Sequence, residues 1–445
     1  MRTVVRNIKT IVNVLCDRSE KKRFDETDQV EITTSGSGSR LAILTENGII
    51  SDFGEEECML SRTLDPDNII DCNGGCVIPG LIDAHTHPVW AGDRLHEFTL
   101  KLKGASYMEI HESGGGINYT VSKTSAADEA TLYNLLRQRL LGMIRKGTTT
   151  VECKTGYGLY WAVEEKLLRV LNRAKMELPI DISITFLSAH SVPKDTNASD
   201  FTEHIVSEQI PKVKDLIQEK FSVDNIDVFC EKGVYDIEQS AKILQAGKSI
   251  GLNLNFHADE LSDTGGAELA GRLGARAASH LEEASPAGVA AMAASGTAAV
   301  LLPTTAHLLR LRPPSARAII QAGVPVALGT DFNPNAYCLS MPIVMYLACT
   351  TLGMTPEEAL AGATINAAYS LNMSDRVGAI TVGRQADIVV LKCDSPPFPR
   401  HIPPKLWCYI GESVKRTPVR ISIFSVDEEP DLRSPGALGT RSFKE

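Results

Sequence analysis

The hydrophobic pattern of the chain changes character at Val77. From there to Asp331, short apolar runs that end in polar residues alternate with stretches whose apolar residues recur every three or four positions, the signatures of strand and amphipathic helix. Eight runs read as strands: 77–87, 148–154, 182–190, 226–231, 252–257, 277–281, 298–303 and 324–331. Helical patterns separate most of them, clearest over 164–176, 237–250 and 284–294. A further helix is expected after Ser125, read as its N-cap with Asp128 three residues on, burying Leu132, Leu135, Leu136, Met143 and Ile144 until Gly147 stops it. Eight strand-then-helix units predict an α/β fold of the (β/α)8 TIM-barrel type, whose chemistry sits at the C-terminal ends of the strands.

The flanks differ. Residues 1–75 carry short strand-like pieces (8–15, 41–44, 69–71) and a charged run over 17–31 that reads as a solvated loop. After the barrel, Thr355 is expected to cap a helix with Pro356 in its first turn, and 378–391 reads as a hairpin. The organisation expected is a composite β-sandwich built from 1–75 and 378–424 around a barrel over 76–377. A proline-rich linker over 395–404 and a disordered tail over 425–445 complete it.

Composition narrows the function. A chain of 445 residues with a formal charge of −10 has no basic footprint for nucleic acid or an anionic membrane. No run approaches the ~20 apolar residues of a membrane span, and the apolar residues of 1–15 are interrupted too often for a secretory signal. Ten cysteines without a C-x-x-C pair read as free thiols in a reducing, cytoplasmic setting.

The strand ends carry the chemistry. His85 and His87 close the first run, about 7 Å apart on one side of an extended chain. His190 closes the third, His257 the fifth, His280 the sixth and Asp331 the eighth. A lone H-x-H fits core histidines equally well, but six such groups on one rim read as a shared site. Two histidines from one strand, one from strand five and an aspartate from strand eight make a nitrogen and oxygen set for one divalent ion, zinc first and iron second, with room for water. Such an ion lowers the pKa of water from about 15.7 to about 7. Glu260, three residues past His257, is placed to move protons, its plain alternative being a helix cap. The glycines at 114–116 lack a following G-K-[ST] and read as a lid or a flexible loop.

The segments V-I-P-G-L-I-D-A-H-T-H (77–87), H-A-D-E (257–260) and G-T-D (329–331) resemble the amidohydrolase superfamily. H-P-V-W-A-G-D-R (87–94), E-C-K-T-G-Y-G-L (152–159), L-S-A-H (187–190) and T-D-F-N-P (330–334) resemble more closely its imidazolonepropionase branch. That resemblance implies hydrolysis of the cyclic amide of 4-imidazolone-5-propanoate to N-formimidoyl-L-glutamate by a homodimer. It implies metal ligands His85, His87, His257 and Asp331. Catalytic roles fall to Glu260, His190, His280 and Asp331, with His190 or His280 stabilising the oxyanion. Substrate contacts fall to Arg94, Tyr107, Tyr157, His190, Glu260 and Asn333. Arg94 offers a planar fork for a carboxylate. Asn335-Ala336 depart from the glycine and serine of many members, so contacts there are not carried over. A mononuclear site is expected, because the fourth run ends Phe229-Cys230-Glu231 with Lys232 only beyond it. The rival readings are a nucleobase deaminase and an inactive scaffold of the same fold.

Overall fold

A computed structural model describes residues 1–15, 20–62, 65–104, 115–391 and 421–424. Seven strands precede the barrel: β1 (Arg2–Ile8), β2 (Thr10–Asn13), β3 (Glu31–Thr34), β4 (Leu41–Glu46), β5 (Ile49–Glu55), β6 (Asn68–Asp71) and β7 (Cys76–Pro79). The sheet β5-β4-β1-β6 has two apolar faces. Val4, Ala42 and Leu44 pack on Met59 of the helix Glu56–Arg62. Val5, Leu41 and Ile43 face Ile11, Val77, Ile388 and Val390 across a second core.

Eight parallel strands then follow in unbroken neighbour order: β8 (Leu81–Asp83), β9 (Thr148–Lys154), β10 (Asp181–Ala189), β11 (Asn225–Cys230), β12 (Asn253–Ala258), β13 (Ala277–His280), β14 (Ala298–Leu301) and β15 (Val326–Leu328). Backbone bonds from Ala84 to Leu328, Asp331 to His85 and His87 to Phe332 bring the last strand against the first, completing the expected TIM-type barrel. Alternation along each strand sorts the side chains. Val151 and Cys153 join the apolar layer shared with the helices, while Glu152 and Lys154 reach inward to partners on other strands.

Three sequence expectations are corrected. The run 77–87 is not one strand: Cys76–Pro79 pairs with β2 and with β16 (Ile388–Leu391), and only Leu81–Asp83 enters the barrel. The chain passes from one sheet to the other at Gly80, where a Cβ would lie 2.7 Å from Thr149 Cγ2. Ser125 caps nothing, since it lies inside the helix Gly116–Ala126. Asp128 is the N-cap of Glu129–Ile144, accepting from the Thr131 amide at 2.7 Å. Residues 378–387 hold bends, one turn at Val382–Gly383 and an isolated bridge from Gln385 to Ile49 rather than a hairpin arm. Strands β9 to β15 lie within a few residues of their predicted bounds, whereas β3 and β5 fall outside the strand-like pieces expected over 1–75 and β1 shares only Ile8 with them, and Thr355 caps Pro356–Gly362 in a full capping box.

β16 also pairs in parallel with β17 (Ile421–Phe424), so strands from both flanks share the sheet β17-β16-β7-β2-β3. The linker expected over 395–404 and the tail over 425–445 lie outside the described residues. Among the described residues no helix is long and apolar enough to cross a membrane, and Cys58, Cys72, Cys76, Cys153, Cys230, Cys338 and Cys349 are all free thiols.

Candidate metal centre

The strand ends converge. Ring nitrogens of His85, His87 and His257 lie within 4.8 Å of one another. His87 and His257 bring their Nε2 atoms to 3.3 Å, and Asp331 Oδ1 stands 3.5 Å from Nε2 of both His85 and His87. All four are buried. Burial, reinforced by nearby Lys154 and neighbouring histidines, pushes His85 well below its usual pKa, and burial with His190 does the same for His87. Both rings are therefore neutral, the form that ligates a metal. His85 Nε2 has no hydrogen-bond partner despite complete burial, a costly state unless a cation occupies the space it faces. Three imidazoles and one carboxylate fit a borderline divalent ion.

Each ligand is held from behind. Asp227 Oδ1 lies 2.9 Å from His257 Nδ1; since a carboxylate only accepts, Nδ1 carries the proton and Nε2 faces inward. Ser279 Oγ lies 2.9 Å from His85 Nδ1, and Thr305 Oγ1 donates to Asp331 Oδ2 at 2.5 Å. Asp83 accepts from the Thr330 amide and hydroxyl at 2.9 and 2.6 Å. Asp331, Asp259, His280 and Leu281 have φ of 47, 52, 78 and 69°, so the turns that aim these side chains are left-handed without glycine. Sequence reading missed Asp83, Glu152, Lys154, Asp227, Ser279 and Thr305. A signal existed for several: charged residues at alternate positions in otherwise apolar strands must be paired when buried.

Among the described residues of the barrel the buried lysine is Lys154 on β9, and its Nζ is engaged by Glu152 at 2.7 Å and Asp227 at 2.8 Å.

One cavity collects His87, Arg94, Tyr157, His190, Phe229, His257, Glu260, His280, Asp331 and Asn333, with Ile117, Thr305, Leu309 and Asn335 completing its wall. Tyr107 lies outside the described residues, as does Gly114; Gly115 and Gly116 start the helix that carries Ile117. His190 stacks on His87 with centroids 4.7 Å apart. Its Nδ1 lies 2.9 Å from the Gly156 carbonyl, so Nδ1 donates and Nε2 offers a lone pair. In that tautomer Nε2 accepts rather than donates, which favours His280 over His190 for the oxyanion role that either was expected to fill. The pKa of His190 is held down to about 3 by burial and by His257. Glu260 is pushed well above the usual carboxyl range by burial, Glu282 and Asp331, and its Oε2 lies 3.7 Å from His280 Nε2. Asp259 and Leu261 on either side are fixed, the first accepting from the Gly266 and Ala267 amides and the second donating to Glu231 at 2.8 Å.

Arg94 is clamped by Glu97, whose Oε2 accepts from Nε at 2.8 Å while Oε1 accepts from the Gly116 amide at 2.8 Å. Asn333 uses its side chain on its own loop, donating to the Asp331 carbonyl and accepting from the Asn335 and Ala336 amides. It thus lines the cavity while shaping the turn.

The amidohydrolase family model matches residues 76–421. The chain is 51% identical over 394 residues to a probable imidazolonepropionase of Xenopus tropicalis, covering 88% of this chain and 90% of that one. The probable imidazolonepropionase of Homo sapiens is 51% identical over 384 residues, with 85% and 89% covered. Among solved structures, a triazine hydrolase variant superposes with a TM-score of 0.68 at 16% identity, covering 88% of this chain and 87% of that one. E. coli guanine deaminase does so with a TM-score of 0.64, also at 16% identity, covering 89% and 90%. These structural likenesses establish the fold, and the sequence matches go further: the chain belongs to the amidohydrolase family and, within it, to the imidazolonepropionases.

Proposed function

We propose that the chain hydrolyses the cyclic amide bond of 4-imidazolone-5-propanoate to N-formimidoyl-L-glutamate, a step of histidine degradation. The observation that carries this reading is one cavity in which three of the candidate ligands, His87, His257 and Asp331, meet a buried carboxyl, Glu260, and a guanidinium, Arg94. A divalent ion held by His85, His87, His257 and Asp331, zinc before iron, would supply Lewis-acid polarisation and a water whose pKa is lowered toward about 7.

The chain's own residues perform the rest. Asp331, its carboxylate oriented by Thr305, accepts the proton that water loses as it adds to the amide carbonyl. His280, beside Glu260, serves as donor to the developing oxyanion. His190 accepts a ring N–H at Nε2. Glu260, kept protonated by its burial, gives its proton to the departing ring nitrogen as the C–N bond breaks. Phe229, Ile117 and Leu309 line the cavity with apolar surface that limits bulk water. Arg94 balances the propionate carboxylate, the charge that sets this substrate apart from a neutral nucleobase.

The finer setting follows the same reading. Free thiols and the acidic balance favour a reducing cytoplasm and a small-molecule substrate over nucleic acid, and a homodimer is the assembly implied by the resemblance. The test is direct. Incubation with freshly generated imidazolone propionate, and in parallel with guanine, cytosine and adenosine, should give ring opening of the first without ammonia release. Ammonia release from a base, with imidazolone propionate untouched, would replace this reading with the deaminase.

A further inference from the structure

Lys154 is buried inside the barrel, below the candidate metal centre, and neither ligation nor substrate contact accounts for it. Its Nζ lies 2.7 Å from Glu152 Oε1 and 2.8 Å from Asp227 Oδ2. Beyond each carboxylate stands part of the metal-binding set. Asp227 Oδ1 meets both His257 Nδ1 at 2.9 Å and the His257 amide at 3.1 Å. Glu152 Oε2 accepts from the amide of Thr86 at 3.1 Å, and the Glu152 carbonyl accepts from the Thr86 hydroxyl at 2.5 Å. Thr86 is the residue between His85 and His87. The Lys154 amide closes the circuit on the Thr86 carbonyl at 3.0 Å.

We infer that Lys154 is a positioning residue that braces the metal ligands from below, holding His257 through Asp227 and the His85–His87 turn through Glu152. A buried ammonium between two carboxylates costs more in desolvation than an apolar filling of the same volume. Its retention therefore needs a return, and fixing ligands from barrel strands one and five through one ammonium supplies it. The surroundings are equally committed: Thr185 donates to Glu152, and Asn225 donates to the Thr185 hydroxyl. The inference rests on the metal assignment made above.

The test must hold charge constant, because removing the ammonium alone also removes its repulsion of a cation and would mask lost positioning. The double substitution Lys154→Met with Glu152→Gln deletes one charge of each sign. Cobalt(II) alone, titrated against a chelator into metal-stripped parent and variant, reads affinity, and its visible absorption reads ligand geometry. Bracing gives about 10- to 100-fold weaker cobalt binding and an altered spectrum, in a variant whose metal-free unfolding midpoint stays near the parent's. Affinity within threefold of the parent, with an unchanged spectrum, overturns the inference. If that variant does not fold, Lys154→Gln with Glu152→Gln replaces it, since the amide can still donate to Asp227. A loss of several-fold is then expected, and parent-like binding again overturns the brace. Failure of the parent itself to bind cobalt stoichiometrically would instead overturn the metal assignment.

Discussion

Asp331 is joined to His85 twice. Its backbone amide donates to the His85 carbonyl at 3.0 Å, and its Oδ1 faces the His85 Nε2 at 3.5 Å. The first contact helps to close the barrel and the second helps to form the candidate centre, so strand registry and ligand geometry are set by one pair. Thr305 then fixes which oxygen faces inward. Thr305→Val keeps the shape and removes the donor, leaving a buried carboxylate oxygen unpaired. We expect metal affinity to fall about 10- to 100-fold, read by chelator competition on folded protein. Unchanged affinity would assign Asp331 another anchor.

Removal of the metal should be reversible and complete in its effect. One equivalent of zinc or iron per chain is expected in the purified protein, activity should vanish in chelator and return with added metal, and His257→Ala should abolish both content and turnover. Elemental analysis without a stoichiometric metal, together with full turnover in chelator, would sink the assignment.

Glu260→Gln separates proton transfer from binding. The amide is nearly isosteric, and Glu260 is not among the proposed ligands, so metal content should stay intact while kcat falls by about 10²- to 10⁴-fold. A variant with the parent's kcat would move the acid role elsewhere, most directly to Asp331.

Arg94→Met tests the carboxylate anchor. Metal content should not change, and kcat/KM for imidazolone propionate should drop by an amount equivalent to roughly 2–5 kcal/mol, chiefly through KM. Arg94→Lys should recover part of this, because an ammonium keeps the charge and loses the planar fork that Glu97 now orients. A change of less than about twofold for Arg94→Met would put the carboxylate elsewhere and weaken the case against a neutral base.

Gly80→Ala probes the junction between the sheets. The added methyl meets Thr149, and the Gly80 amide already donates to the Asp387 carbonyl at 2.8 Å, so the backbone has little room to retreat. A loss of about 1–3 kcal/mol in chemical denaturation is expected. Equal stability of parent and variant would show that the two sheets can slide apart at this point.

The sequence by itself determined the barrel and most of the candidate site. Alternating apolar periods set the strand and helix order, and the polar residues at the strand ends pick out His85, His87, His190, His257, His280 and Asp331. Both signals are local, because the period of a strand or helix is written in adjacent residues. Only the tertiary structure decided where strand 77–87 divides, since Cys76–Pro79 and Leu81–Asp83 are equally apolar and differ in which distant strand bonds to them. It decided the tautomer of His190, which depends on a carbonyl 34 residues away in sequence. It also brought Glu152, Lys154 and Asp227 together beneath the ligands. A buried charge announces that it needs a partner, but closure of the barrel selects which one, and hydrogen-bond geometry across strands has no period along the chain.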